Sequence, residues 1–439
     1  MNWSRRDFLA WVAASGAMVK STLSSAQDKT IFAEKPKIGF SILQGMTDET
    51  SAQFTVVLPK NSQWTIQVTA ARQSAPVPRV HSGRVTRDFS AECVHKITAD
   101  NLLLGESYWL RVLNSAGEIK DQREFTCLNL SPRNVRLALI SCALDHLHRD
   151  DVWRQLARQQ PELALFVGDN VYCDRKTLGQ KVDVPDPQLI WERYVATRQR
   201  VAFYFQKKLT PVLAIWDDHD FGGNNSSGSF PYTAEVTDIF NTFFAQDPRP
   251  ALVAGPGIAR RLSAFGADFF MLDGRTFRGE PKARGATLLG QQQDDWLAHL
   301  LRPRATLLLN GSLFFGAYGE FESFEGDFSE AFEHFLARVK ASGALAAFIS
   351  GDVHYSEIMD IESAKLGYST FELVTSSIHS FTFPGHHNRY HNPRRREADS
   401  SHNFLIFEGE FSDNLIKGHV TCWAAGFDPF DGPVETRRP

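Results

Sequence analysis

Ligand-type side chains follow four apolar runs of the chain, each at the point where a buried strand is expected to end. Cys142 follows LALIS, and residues 169–172 (Asp-Asn-Val-Tyr) follow LALFVG. VLAIW precedes residues 217–220 (Asp-Asp-His-Asp), and AAFISG precedes Asp352 and His354. Because ligands of open α/β sheets bind beyond the carboxyl ends of the strands, we expect these side chains to share one rim. The sequence therefore predicts a metal centre built from thiolate, phenolate, carboxylate and imidazole groups.

Each of these features also has a simpler structural explanation when it is taken alone. An Asp after a strand commonly forms a turn or caps a helix, and a lone Cys is usually a small core residue. The pair Asp217 and Asp218 is more specific, because adjacent carboxylates repel each other unless a cation or a proton compensates them. Since four strand ends carry such residues together, we favour the metal interpretation.

The types of donor atom constrain the metals. Thiolate and phenolate favour an oxidised ion such as iron, whereas carboxylates and amide carbonyls favour calcium, magnesium or manganese. A site that offers both sets predicts two unlike ions bridged by one carboxylate. Two ions roughly 3.5 to 4 Å apart can bind a phosphate between them and supply an activated water or hydroxide, which predicts phosphate-ester hydrolysis.

The elements that position these residues are expected to form an α/β core. Continuous apolar runs such as VRLALIS, ELALFVG, PVLAIW, DFFMLD and LAAFIS are typical of strands covered on both faces. Helix-like stretches lie between several of them, at residues 150–160, 186–205, 289–301 and 329–339. From about residue 371 the pattern returns to strands, as in NFLIFEGEF and GHVTCWA.

The part of the chain before residue 130 has a different pattern. Short alternating runs rich in Val, Thr and aromatic residues are separated by turn-forming clusters, which predicts a small sandwich of the immunoglobulin or fibronectin type. No cluster of acids, bases or ligands lies within it. We therefore predict three parts: a signal at residues 1–26, a β-sandwich domain at 30–130 and a catalytic domain at 131–439.

The N-terminus reads as an export signal. Arg5 and Arg6 precede a short apolar stretch and a small-residue site near Ala26, a pattern that resembles a bacterial twin-arginine signal. We expect the chain to engage the twin-arginine export machinery and to reach the periplasm or the medium. The alternative is an ordinary frayed and slightly basic terminus. The apolar run at residues 9–19 is too short to span a membrane comfortably, so no stable membrane span is expected.

Composition limits the function classes. At 439 residues, with 43% hydrophobic and 22% charged residues, the chain is typical of a globular protein of two domains. Its formal net charge of -4 disfavours a general nucleic-acid binder, and no nucleic-acid-binding surface is expected.

The motifs ISC, GDNVY, WDDHD…NN, LDGRTFRGE, LLGQQQDDWL and SGDVHYSE follow one another in the chain. In this order they resemble those of the PhoD-like alkaline phosphatases and phosphodiesterases, which belong to the calcineurin-like metallophosphoesterases. The resemblance implies a four-layer α/β/β/α sandwich preceded by the small all-β domain. It also implies hydrolysis of phosphate mono- or diesters, with iron (Fe³⁺) and calcium as the metals; manganese, magnesium and zinc are alternatives.

The resemblance also implies roles for individual residues. Cys142 and Tyr172 would bind the iron, and Asp169 would bridge the two ions and so take part in catalysis. Asp218 would be a metal ligand. His219 would contact the phosphate and protonate the leaving oxygen.

The remaining implied ligands lie further along the chain. Asp352 and His354 would complete the metal site. Asn225, with Asn224 as the alternative, would bind both metal and substrate.

Some positions depart from the family pattern. Asn170 stands where the family tends to have an aromatic residue, Cys173 and Asp174 follow the Tyr, and DDHE is replaced by DDHD. These departures motivate a rival hypothesis, in which the chain is an extracytoplasmic binding protein that keeps the phosphatase fold without useful turnover.

Three further features have weaker functional interpretations. Arg275 and Arg278 could clamp a phosphate, but we favour ion pairs with acidic residues that fix a loop. The basic run at residues 385–397 is expected to be a solvated loop whose three His are surface residues. Cys93 and Cys127 could form a disulfide within the sandwich.

Overall fold

The structure is a computed structural model, and it describes residues 40–73, 75–176, 179–319 and 321–438. The predicted export signal at residues 1–26 lies outside these ranges. None of the helices in the described ranges is both long and apolar enough to cross a membrane.

The first part of the described chain is an all-β sandwich, as the sequence predicts. Its strands are β1 (Ser41–Thr47), β2 (Ser51–Pro59), β3 (Thr65–Ala70), β4 (Arg79–Thr86), β5 (Glu92–Asp100), β6 (Ser107–Leu113) and β7 (Ile119–Thr126). They form a four-stranded sheet in the order β1-β2-β5-β4 and a three-stranded sheet in the order β3-β6-β7. Cys93 and Cys127 are buried there as free thiols, so the disulfide considered from the sequence is not formed.

The second part contains two large sheets. Its strands are β8 (Asn134–Ile140), β9 (Leu163–Val167), β10 (Val212–Ile215), β11 (Leu252–Ala254), β12 (Arg260–Ala264), β13 (Ala267–Met271), β14 (Ala305–Leu309), β15 (Leu345–Ser350), β16 (Ser356–Ile361), β17 (Thr370–Val374), β18 (Arg395–Asp399), β19 (Asn403–Ser412), β20 (Leu415–Ala424) and β21 (Phe427–Arg437). One sheet has the order β10-β9-β8-β19-β20-β21, and the other has the order β11-β12-β13-β14-β15-β17-β16-β18.

Helices cover the outer faces of these sheets. They are α1 (Asp150–Gln159), α2 (Pro187–Arg200), α3 (Asp218–Phe221), α4 (Thr233–Phe243), α5 (Gly290–Leu300), α6 (Phe324–Asp327), α7 (Ser329–Ala341) and α8 (Ser363–Leu366), with 3₁₀ turns at Asp145–Leu147, Ala202–Phe205 and His386–Arg389. α2 begins where the sequence places it, because the Asp186 side chain accepts a hydrogen bond of 2.8 Å from the Leu189 amide and Pro187 occupies the first turn.

Successive side chains of a buried strand point to opposite faces of the sheet, and this alternation separates the packing layers. In β14, Leu307 and Leu309 pack into the core shared with the first sheet, whereas Leu308 packs into a second core with helices α5 and α7. A strand covered on both faces has no polar side, and this explains the continuous apolar runs in the sequence. The predicted four-layer α/β/β/α architecture with a preceding all-β domain is confirmed.

The N-terminal sandwich is fastened to the second part through a buried Arg. The Arg198 guanidinium donates hydrogen bonds to the side chains and carbonyls of Ser41 and Thr55, and to the Phe243 carbonyl. Leu43 and Val57 of the sandwich also belong to the main core. The sandwich and the second part, which the sequence predicts as separate domains, therefore pack against each other.

Candidate metal centre

The ends of three parallel strands bring the first set of ligand residues together. β8 pairs with β9, and β9 with β10, all parallel and in register, so the loops that follow them start at one edge of the sheet. Cys142 and Asp169 lie in the first two of these loops. The Cys142 amide donates to the Gly168 carbonyl and the Ala143 amide to the Asp169 carbonyl, which holds the loops side by side.

A glycine brings the end of β15, in the other sheet, to the same place. A Cβ atom at Gly351 would overlap the Ser141 hydroxyl and the Val167 carbonyl. Only glycine allows the backbone to approach so closely. Asp352 and His354, which follow it, therefore lie against the loops of the first sheet, and residues from both sheets meet in one cluster.

The backbone at this cluster is strained. Nine described residues other than glycine have a positive φ, and five of them are predicted site residues: Cys142 (58°), Asp169 (53°), Asn225 (59°), Asp352 (78°) and His354 (61°). This left-handed conformation is disfavoured for side chains with a Cβ and concentrates at functional sites, where surrounding contacts hold it in place.

One group of side chains offers sulfur, phenol and imidazole donors. Ligand atoms of Cys142, Asp169 and His354 all lie within 4.8 Å of one another. The Tyr172 hydroxyl lies 3.2 Å from Nε2 of His354 and so joins this group. The Ser376 hydroxyl donates a hydrogen bond of 3.0 Å to Sγ of Cys142 and would stabilise a thiolate there.

A second group offers carboxylates. Ligand atoms of Asp217, Asp218 and Asp352 lie within 4.8 Å of one another, and so do those of Asp169, Asp218 and His219. Asp169 belongs to both the sulfur-containing group and this carboxylate region. A bridging role for Asp169, which the resemblance implies, stays a prediction.

The electrostatics of the cluster call for a cation. Burial, followed by repulsion from Asp218 and Asp217, raises the pKa of Asp169 well above its usual range, and burial with the same two neighbours raises the pKa of Asp352. Burial also raises the pKa of the Cys142 thiol, and the nearby Asp169 raises it further. So many anionic groups cannot all ionise in a buried site unless positive charge is added, and metal ions would supply it.

His354 suits a ligand role because its pKa is lowered, whereas the pKa values of the acidic groups are raised. Burial, together with the nearby His219 and His386, lowers its pKa to about 4. The imidazole is therefore neutral at ordinary pH, which is the form that binds a metal.

Asp217 is a further candidate ligand: the sequence analysis singles out the Asp217–Asp218 pair, although the resemblance implies a ligand role only for Asp218. Its Oδ1 atom is 2.6 Å from Nε of Arg275 and accepts a hydrogen bond from Ser312. Its Oδ2 atom is buried without a hydrogen-bond partner among the described residues. An orphaned carboxylate oxygen beside Asp218 and Asp352 fits a metal ion.

The ring of His219 is held by Asp174, a residue to which the sequence analysis assigned no role. Nδ1 of His219 lies 3.0 Å from Oδ1 of Asp174, and its ring stacks on Tyr172 with centroids 4.3 Å apart. Burial lowers the pKa of His219, but Asp218 and Asp174 together outweigh that effect and raise it. Asp174 follows Asp169 by five residues in the chain, but its contact with His219 depends on how the loops fold.

Asn225 lies beside the cluster, but its contact with the cluster is through the backbone. Its amide donates a hydrogen bond of 2.6 Å to Oδ2 of Asp218, while its exposed side chain accepts one from Asn224. A metal or substrate contact of the Asn225 side chain stays a prediction.

Arg275 and Arg278 form the ion pairs that the sequence analysis favours. Arg275 contacts both Asp217 and Glu322, and Arg278 contacts Glu322 at 2.7 Å. These bonds fix the loop after β13 against the carboxylate group. Burial opposes ionisation of Asp218, but the positive charges of His219 and Arg275 outweigh it and lower the pKa of this carboxyl group.

Comparisons with known proteins agree with this fold. A family model described as PhoD-like phosphatase matches residues 137–421. A solved structure described as "Structure of PhoD" aligns with a TM-score of 0.66 and 16% sequence identity, over 92% of this chain and 89% of that chain. No curated protein matches the chain significantly. Because the family match spans most of the chain and includes the cluster described above, the chain belongs to the PhoD-like phosphatase family.

Proposed function

We propose that the chain is an exported phosphoesterase that hydrolyses phosphate mono- or diesters with the help of two metal ions. The observation that carries this proposal is the convergence of Cys142, Asp169, Tyr172, Asp218 and His354 on one buried cluster. Family membership supports the reaction class. Two ions bound here would bind the phosphate and activate water as the nucleophile.

The donor set suggests where each ion would bind. Cys142, Tyr172, Asp169 and His354 would hold an iron-like ion, since thiolate and phenolate favour such a metal. The carboxylates of Asp169, Asp217, Asp218 and Asp352, with Asn225 as a further candidate, would hold a calcium-like ion. Manganese, magnesium and zinc remain alternatives at either position.

His219 is the proposed general acid. Its Nδ1 atom is engaged with Asp174, which leaves Nε2 as the nitrogen available to the substrate. The raised pKa of His219 favours a ring that carries the proton needed by the leaving alkoxide. Stacking on Tyr172 fixes the plane of the ring.

Export is proposed from the sequence of residues 1–26. The twin arginine at Arg5 and Arg6 would direct the folded chain through the twin-arginine pathway to the periplasm or the medium. A reporter fused to residues 1–26, with an Arg5→Lys, Arg6→Lys control, tests this directly: loss of export in the control is expected, and equal export of both forms would contradict the pathway.

Elemental analysis combined with an activity screen tests the proposed reaction. Purified protein is expected to contain two metal ions per chain and to hydrolyse p-nitrophenyl phosphate, bis(p-nitrophenyl) phosphate or both. Removal of the metals with a chelator should abolish turnover, and adding them back should restore it. Metal-replete protein that turns over neither ester would instead favour the binding-protein hypothesis.

A further inference from the structure

We propose that an aromatic rim beside the metal centre binds an aromatic ring carried by the alcohol part of the substrate. The aromatic rim consists of Phe321, Tyr355, Phe383, His386 and Tyr390. This inference rests on the proposed phosphoesterase function and adds a substrate class to it: phosphate esters of alcohols that carry a flat aromatic group.

The segment that carries Phe383 is fastened directly to the cluster. Nε2 of His354 lies 3.1 Å from the Ser380 hydroxyl, which also contacts the Tyr172 hydroxyl at 2.9 Å. The backbone of Phe381 lies close enough to the His354 imidazole to influence its pKa, and the His386 ring lies close enough to the backbone of His354 for its own pKa to be influenced. The segment at residues 380–386 therefore lies over one of the candidate metal ligands.

The rings of the rim form a continuous series. Phe383 lies against His386 with ring centroids 4.5 Å apart, and His386 meets the edge of Tyr355 at 5.7 Å. Tyr355 contacts Phe321 at 5.8 Å, and Phe321 contacts Tyr390 at 4.8 Å. Tyr355, the middle ring of the series, directly follows His354 in the chain, so the series passes next to the cluster.

The rim has an open side. The Phe383 side chain is 42% exposed although it belongs to this series of packed rings. At the other end, Phe321 lines a cavity of about 440 Å³ together with Asn225 and Glu322. Asn225 bonds Asp218 and Glu322 bonds Arg275, so the cavity adjoins the carboxylate group of the metal centre. Its volume falls in the range of about 300–1,000 Å³ that small-molecule sites occupy.

An aromatic ring suits this surface better than a polar group does. The rim pairs are edge-to-face or tilted arrangements, and an added ring would extend the same pattern on the exposed Phe383. Because Tyr355 directly follows His354, the rim lies within reach of an ester group on a phosphate held by the cluster. A single aromatic contact of this kind improves binding by roughly twofold to tenfold.

Binding of two phosphonates to metal-loaded protein tests the proposal. Phenylphosphonate and methylphosphonate share the group that would occupy the metal centre and differ only in the ring. Calorimetry should give wild-type protein a dissociation constant several-fold lower for phenylphosphonate. Phe383→Ala and Phe383→Leu should both reduce this preference at least threefold, because neither retains a ring. Phe427→Ala, at an exposed Phe of β21 that is not part of the rim, should leave it unchanged.

The possible results distinguish failure of the rim proposal from failure of the proposed phosphoesterase function. Equal affinities for the two phosphonates in the wild type, or an unchanged preference in Phe383→Ala, would overturn the rim while hydrolysis of phosphate esters persists. A preference kept by Phe383→Leu would overturn the aromatic assignment in favour of a general apolar surface. Absence of hydrolysis in metal-loaded wild type would instead overturn the proposed function.

Discussion

Nδ1 of His219 lies 3.0 Å from Oδ1 of Asp174, and both side chains are buried. A carboxylate in this position fixes the orientation of the imidazole and favours the tautomer or the charged form that carries hydrogen on Nδ1. Asp174 is not among the grouped candidate metal ligands of the described residues, and it contacts one of them, His219. It is therefore a positioning residue for His219.

Replacing Asp174 with Asn should reduce turnover but not metal binding. We expect kcat to fall roughly 10- to 100-fold, as for other residues that orient a functional His, while KM and the metal content change little. Steady-state kinetics and elemental analysis of the same preparation check this. Asp186→Asn, at the cap of α2, is the matched control for a conservative Asp substitution. An unchanged kcat would contradict a positioning role for Asp174. Loss of metal would instead indicate that Asp174 is a metal ligand.

Replacing Arg198 with Met should destabilise the whole chain. The change removes every hydrogen bond that this buried guanidinium donates to Ser41, Thr55 and Phe243, so each of these groups loses a donor. We expect the free energy of unfolding to fall by about 2–4 kcal/mol, measured by urea denaturation. Arg200→Met, at an exposed position of the same helix, should change it by less than about 0.5 kcal/mol. Equal stability of the two variants would contradict the claim that Arg198 stabilises the contact between the sandwich and the second part.

Glu372 should make stability depend on pH. Burial raises its pKa to about 7 from an ordinary value of 4.5, while its carboxylate accepts hydrogen bonds from the Phe314 and Phe315 amides. Since the folded state holds the proton more tightly than the unfolded state, this contribution to stability is complete below about pH 4.5 and is lost as the pH rises through about 7.

The Glu372→Gln variant removes this titration. Between pH 5 and pH 8 the wild type should lose up to about 3 kcal/mol of unfolding free energy relative to the variant, a value that follows from the size of the pKa shift. Denaturation at several pH values measures the difference. Glu397→Gln, at an exposed position of β18, should follow the wild type. Parallel curves for wild type and Glu372→Gln would show that Glu372 does not titrate in this range.

The sequence predicted the elements whose patterns are local. Strands β8, β9, β10 and β15 were identified because they are buried on both faces and read as unbroken apolar runs. β4 does not fit the alternating runs by which the sandwich was predicted, because most of its residues, from Arg79 to Thr86, are exposed and polar. The edges of the sandwich depend on pairing partners far along the chain, which a local pattern does not contain.

The structure brings together the predicted site residues that follow buried strands, whereas residues that act through a contact were not identified from the sequence. Cys142, Asp169 and His354 lie in loops at strand ends and Asp218 begins the short helix α3 after β10, so the topology brings them together. Asp174 and Ser380 act through hydrogen bonds to His219 and to His354. Their sequence neighbours give no indication of those partners, because the contacts depend on how the loops fold.

The bridging role of Asp169 is the central claim, and the Asp169→Asn variant tests it most directly. The substitution keeps the side-chain volume but removes the charge shared by the two groups of candidate ligands. Metal content, phosphate-ester hydrolysis and thermal unfolding should be measured on one preparation. We predict a folded protein that contains less than one metal ion per chain and has lost nearly all turnover. A folded variant that keeps both metal ions and wild-type turnover would contradict the account.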